Sequence, residues 1–152
     1  MDEQLEVALK GGEFKRLLES FFSDIKKKYD LKKVDIEVLF FLSQCSDDDT
    51  PTDIYRRLKL NRGHVSQAID NLCRRKYITA IPDAEDRRYT HYKVTKESRK
   101  IIEEISEARR EMDEQLFKGI TREELETYKK TTEKIYRNIA EMLKWLAIVK
   151  EG

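Results

Sequence analysis

The sequence predicts a mainly α fold, with a winged helix-turn-helix core between long N- and C-terminal helices. Three observations carry that expectation. Turn-formers are scarce, with Gly 5 and Pro 2 among 152 residues, while the helix-formers Leu, Lys, Glu and Arg dominate. The one convincing β signal is a pair of short runs, 77–81 and 89–94, around a charged turn. Both ends of the chain carry long apolar stripes at helical spacing.

The elements follow in order. Leu5, Ala8 and Leu9 begin a short helical pattern that Gly11-Gly12 weakens or breaks. Phe14, Leu17, Leu18, Phe21, Phe22, Ile25 and Tyr29 then lie on one face of a single helix. From Val34 to Leu42 the chain is apolar nearly all round, which predicts a helix buried on most sides. Asp47-Asp48-Asp49 reads as a loop. Thr50 is the expected N-cap of a short helix over 51–58, with Pro51 at its first position and Asp53 three residues after the cap. Leu60-Asn61 make a tight turn, and Asn61 caps a helix over 62–76. Its inward face is Val65, Ala68, Ile69 and Leu72.

In the hairpin, Thr90, Tyr92 and Val94 alternate with Tyr89, His91 and Lys93 about the polar tip 82–88. Thr95 is expected to cap a helix running to about Phe117, closed by Gly119. Thr121-Arg122-Glu123-Glu124 is a capping box. The last helix spaces Leu125, Tyr128, Thr132, Ile135, Ile139, Met142, Leu146 and Val149 in alternating steps of three and four. Such a seam packs against other helices in coiled-coil fashion. We read one domain, 1–152: a winged helix-turn-helix at 31–94, with 1–30 and 95–152 as dimerisation helices.

Charge narrows the function. The chain is nearly neutral, at +1, yet residues 54–76 hold seven basic side chains against the single acid Asp70. Residues 43–53 hold only acids. A basic helix-turn-helix within a neutral chain is the footprint of a phosphate-binding surface; the plain alternative is a solvated charged face. Opposite the apolar face of the second helix stand Arg62, His64, Ser66, Gln67, Asp70, Asn71 and Arg74, side chains of the kind that read base edges in the major groove.

These residues resemble the winged-helix core of the MarR (multiple-antibiotic-resistance regulator) family of transcription factors. The most specific match is the wing tip, Pro82-Asp83-Ala84-Glu85-Asp86-Arg87-Arg88, followed by Val94-Thr95. Leu31, Leu39 and Leu42, Thr50 to Ile54, and Val65-Ser66 with Asp70 and Leu72 are similar to the family's helices. The end helices are similar to its dimerisation region. The resemblance implies a cytoplasmic homodimer, a repressor on palindromic double-stranded DNA. It places helix 62–76 in the major groove and the wing in the minor groove. It assigns Arg88 to the minor groove and Asp86 to orienting it. Arg75, in the basic helix-turn-helix, and Arg87, in the wing tip, join the residues above as expected DNA-binding residues. It also implies release by a small-molecule effector, by thiol oxidation or by metal. Phe14, Phe21, Phe22, Phe40 and Phe41 could line a ligand pocket or be plain core. Four positions depart from the pattern. Lys76 and Ser98 stand where the family usually has Gly, Ala80 where it has Arg, and Tyr55 where it has Ala.

Other chemistry finds little support. His64 and His91 lack zinc-site spacing. No Gly-rich phosphate loop or nucleophile elbow occurs, so neither an enzyme nor a cofactor is expected. Cys45 and Cys73 cannot build a disulfide framework, and Cys73 beside Arg74 and Arg75 is a candidate redox thiol. The rival reading is a winged-helix protein-interaction module whose basic face binds an acidic protein partner.

Overall fold

The computed structural model describes residues 12–151. The short pattern at Leu5, Ala8 and Leu9 lies outside them. Among the described residues, seven helices and one antiparallel hairpin follow each other. The helices are α1 (Gly12–Phe21), α2 (Ser23–Tyr29), α3 (Lys33–Gln44), α4 (Pro51–Leu58), α5 (Arg62–Arg74), α6 (Arg99–Leu116) and α7 (Arg122–Glu151). Strands β1 (Ile78–Pro82) and β2 (Thr90–Val94) stand between α5 and α6. Two compact units divide the chain: residues 17–111, and, among the described residues, 112–151 with 12–16.

The unit 17–111 is built on α3. Val38 and Leu39 are fully buried, and around them pack Ile54 of α4, Val65, Ala68, Ile69 and Leu72 of α5, Ile78 of β1, and Ile101 and Ile105 of α6. Burying each large aliphatic side chain in such a cluster contributes roughly 1.5–3 kcal/mol. Phe22 joins this core, while Phe21, Phe40 and Phe41 are half-buried against it.

The local signals form as the sequence predicts. Thr50 Oγ1 accepts from the Asp53 N–H at 3.3 Å and Asp53 Oδ2 accepts from the Thr50 N–H at 3.2 Å, so α4 opens on a reciprocal box. Asn61 Oδ1 accepts from the Gly63 N–H at 2.8 Å and opens α5. A Cβ at Gly63 would lie 3.1 Å from that oxygen, so the glycine leaves room for the cap. Thr121 and Glu124 form a second reciprocal box, opening α7. Each cap contributes about 1 kcal/mol. Gly119, at φ 80°, turns the chain between α6 and α7.

Two expectations are corrected. The helix over 14–29 is broken at Phe22, whose backbone sits at φ −95° and ψ 0°, outside helical geometry. Hydrogen bonds from Phe22 to Leu18 and from Lys26 to Phe22 still span the break, so the chain kinks rather than turns. Thr95 does not cap a helix. Its hydroxyl donates backwards to the Lys76 carbonyl at 2.6 Å, and a 3-10 turn, Lys96–Ser98, intervenes before α6. The hydroxyl therefore ties the end of β2 to the end of α5. Ser98 fits its site: it is fully buried, and its hydroxyl donates to the Thr95 carbonyl at 2.8 Å.

The unit 112–151 is dominated by α7, whose 30 residues make a rod about 45 Å long. Ile135, Ile139, Met142, Leu146 and Val149 of the predicted seam are exposed, as are Leu143, Trp145 and Ile148 beside it. Among the described residues no helix is long and apolar enough to cross a membrane.

Candidate nucleic-acid interface

The surface forms around α5. Its inward face is consumed by the core, which fixes the outward one. Arg62, Gly63, His64, Ser66, Gln67, Asp70 and Arg74 are exposed, in a run uninterrupted by any large apolar side chain. At the start of the helix, the Arg62 guanidinium lies over the Tyr55 ring, 4.6 Å from its centroid. Tyr55 thus serves as a platform that stations a cation at the N-terminal end of α5.

Two of the expected DNA-binding residues are committed elsewhere. Asn71 is half-buried. Its amide donates to Asp35 Oδ2 at 3.0 Å, and its carbonyl oxygen accepts from Arg74 at 2.7 Å. The buried Asp35 carboxylate also receives the Lys32 N–H at 2.8 Å, so it starts α3 and fastens α5 together. Arg75 turns away from the outer face: its guanidinium donates to the carbonyls of Asp30 and Tyr29, which end α2. Those orphaned helix-end carbonyls attract a cation, so Arg75 acts as a brace between helices. Arg57 is likewise paired, with Asp48 at 2.6 Å. The sequence showed the local excess of positive charge but not which cations the fold spends internally.

The wing is a five-pair ladder from Ile78↔Val94 to Pro82↔Thr90. At its tip Asp83 Oδ1 accepts the backbone N–H groups of Glu85 and Asp86, each at 2.9 Å, which rounds the turn. Arg88 donates from Nε to Asp86 Oδ1 at 3.0 Å and from Nη2 to Asp86 Oδ2 at 2.7 Å. The Arg88 side chain is nevertheless 84% exposed. The pair holds the Asp86 carboxyl below its ordinary range. Arg87 is exposed beside it. The wing therefore presents a cation whose direction is set before any partner arrives.

The wing stem rests on Asp49, in the loop before α4. Asp49 is buried, and it takes His91 Nδ1 on one oxygen and the Lys93 ammonium on the other, the latter at 2.6 Å. Burial pushes its carboxyl up, but Lys93 and His91 outweigh that effect and hold it below the usual range. Its backbone carbonyl accepts the Tyr92 N–H at 3.0 Å. The visible signal was the alternation of His91 and Lys93 on one face of β2; nothing local named their partner.

Neither cysteine is activated. Burial pushes both thiols up, with Asp49 adding to the effect at Cys45 and Asp70 at Cys73. The arginines next to Cys73 do not offset this, so its thiolate is disfavoured at neutral pH. Among the described residues no cluster of His, Cys, Asp or Glu could hold a metal ion.

Residues 31–98 match a family described as "Winged helix DNA-binding domain". The chain has a winged-helix fold. The S. aureus MepR protein in its DNA-binding conformation superposes with TM-score 0.73 at 23% identity, over 84% of this chain and 93% of that one. A MarR/EmrR family transcriptional regulator from Acinetobacter sp. ADP1 gives TM-score 0.73 at 19% identity, over 91% and 97%. A complex of S. aureus MepR with DNA gives TM-score 0.57 at 23% identity, over 84% and 95%. No curated protein matches the sequence. In the terms of this winged-helix fold, α5 is the second helix of the helix-turn-helix and β1–β2 is the wing.

Proposed function

We propose that the chain is a cytoplasmic DNA-binding transcription regulator. The observation that carries this is the wing tip, where Arg88 stands exposed yet fixed by Asp86, next to an α5 face made of Arg62, His64, Ser66, Gln67 and Arg74. A fixed cation suits a narrow minor groove, where the potential is strongly negative. The polar helix face suits base edges in the major groove. Asn71 and Arg75 hold α5 in position for that contact, and Arg87 takes a phosphate.

The finer reading is a homodimeric repressor on palindromic sites, released by a small-molecule effector. The dimer is supported by α7, which leaves Ile135, Ile139, Met142 and Leu146 in water in the single chain. Two copies related by a twofold axis would read half-sites about 34 Å apart. Selection of bound duplexes from a random pool tests the reading. An inverted repeat whose binding falls steeply with salt supports it. Absence of sequence preference, with binding to an acidic protein in its place, overturns it.

A further inference from the structure

We propose that His91 is the positioning residue of the wing, joining the tip at Asp83 to the core at Asp49, so that DNA affinity follows its protonation. This rests on the DNA-binding reading above. The geometry is a bridge of two carboxylates through one ring. His91 Nδ1 meets Asp49 Oδ1, and His91 Nε2 meets Asp83 Oδ2 at 2.7 Å. The first carboxylate belongs to the loop before α4 and is buried; the second belongs to the turn that carries Asp86 and Arg88.

A carboxylate accepts hydrogen bonds and cannot donate them. Neutral imidazole has one N–H, so it can serve one of these two partners; only the imidazolium serves both. When the proton leaves, one oxygen faces a ring lone pair. Asp49 keeps the Lys93 ammonium and its place in the core. Asp83, about one-third exposed, has water within reach, so the tip-side contact is the one released. The turn itself survives, because Asp83 Oδ1 still holds the Glu85 and Asp86 N–H groups. Deprotonation thus leaves the tip folded but unhitches it from the core.

Other charges near the bridge share its field. Asp47, Asp48 and the Cys45 thiol lie about Lys93 and Asp49, Arg57 offsets Asp48, and Asp86 with Arg88 lies on the tip side. Asp83 and then Asp49 hold the imidazole pKa above its ordinary range, while His91 and two backbone N–H groups hold Asp83 down to about 2. The bridge is complete between these limits and is lost as pH rises through the raised histidine value.

The test compares duplex affinity of the full chain at about pH 6 and about pH 8.5, using the sequence selected from the random pool. His64, exposed on α5, is the other histidine of the candidate interface, so it needs a control. The parent and His64→Gln should each lose about fivefold or more over that range. His91→Gln and Asp83→Asn should be flatter, the latter because it keeps the turn acceptor but loses the charge. Asp83→Asn decides the matter if His91→Gln fails to fold. A slope kept in Asp83→Asn, or abolished in His64→Gln, overturns the proposal. If no duplex is selected, the DNA-binding reading fails by itself. The bridge is then judged by NMR of the His91 ring. Titration near the ordinary value overturns it, and a raised value with co-titrating amides at Glu85 and Asp86 sustains it.

Discussion

Asp86 holds Arg88 by both carboxylate oxygens and also accepts its backbone N–H, at 3.1 Å. One acid thereby fixes both the root and the head of an arginine that is otherwise in solvent. A free arginine would lose rotamer entropy on entering a groove, and here much of that loss has already been taken in folding. Arg88→Ala is expected to lower duplex affinity at least about tenfold without changing helical content by circular dichroism. Asp86→Ala should show a smaller version of the same defect. Arg87→Ala should weaken all sequences alike and reduce the salt slope by about one. Anisotropy titrations over a salt series separate these outcomes.

Asn71 and Gln67 sit one helical turn apart on α5 and should behave differently. Gln67 is exposed, and its replacement by Ala should relax base preference at one position per half-site, by roughly 1–3 kcal/mol, with little change in stability. Asn71→Ala removes a donor from the buried Asp35 carboxylate and should cost about 1–3 kcal/mol of stability in urea unfolding. A base-specific effect of Asn71→Ala at unchanged stability would return it to the reading face.

Lys76 follows α5 at φ 61°, in the left-handed region that a side chain resists. The Tyr77 N–H reaches back to the Leu72 carbonyl at 2.9 Å, the closure that usually places glycine here. This is a position where the resembled family usually has glycine. Lys76→Gly should stabilise the chain by about 0.5–1 kcal/mol, less than the full strain because glycine is freer when unfolded. The urea midpoint should rise with an unchanged slope.

The exposed seam of α7 predicts a dimer. Light scattering should give twice the 18.1 kDa of one chain at micromolar concentration. Ile139→Glu places a charge in the seam and should yield aggregate or unfolded chain rather than a folded monomer. A stable, folded 18.1 kDa parent species would sink the dimer.

What could be read from the sequence follows the range of the interactions. Caps at Thr50, Asn61 and Thr121 were legible because each joins residues within three positions. The inward face of α5 was legible because burial imposes helical spacing on sequence. Asp35 and Asp49 were not, since their partners Asn71 and His91 lie 36 and 42 positions away. An isolated acid gives no sign of being buried until the fold brings its donors. The break at Phe22 was hidden for the opposite reason: the apolar face runs through it unchanged, and only the backbone departs.

The hold on β2 has a consequence for where the polypeptide can be cut. The strand is laddered to β1, but it is also moored to the loop before α4: Tyr92 gives its N–H to Asp49, and Lys93 gives its ammonium to the Ser46 carbonyl at 2.8 Å. The peptide link across the tip is therefore not what keeps β2 seated. A nick at the exposed Ala84–Glu85 bond should leave a chain that still folds. Tryptic cleavage after Arg87 should leave two fragments that co-migrate until denaturant is added. Fragments that part in native buffer would show that the hairpin depends on its covalent turn.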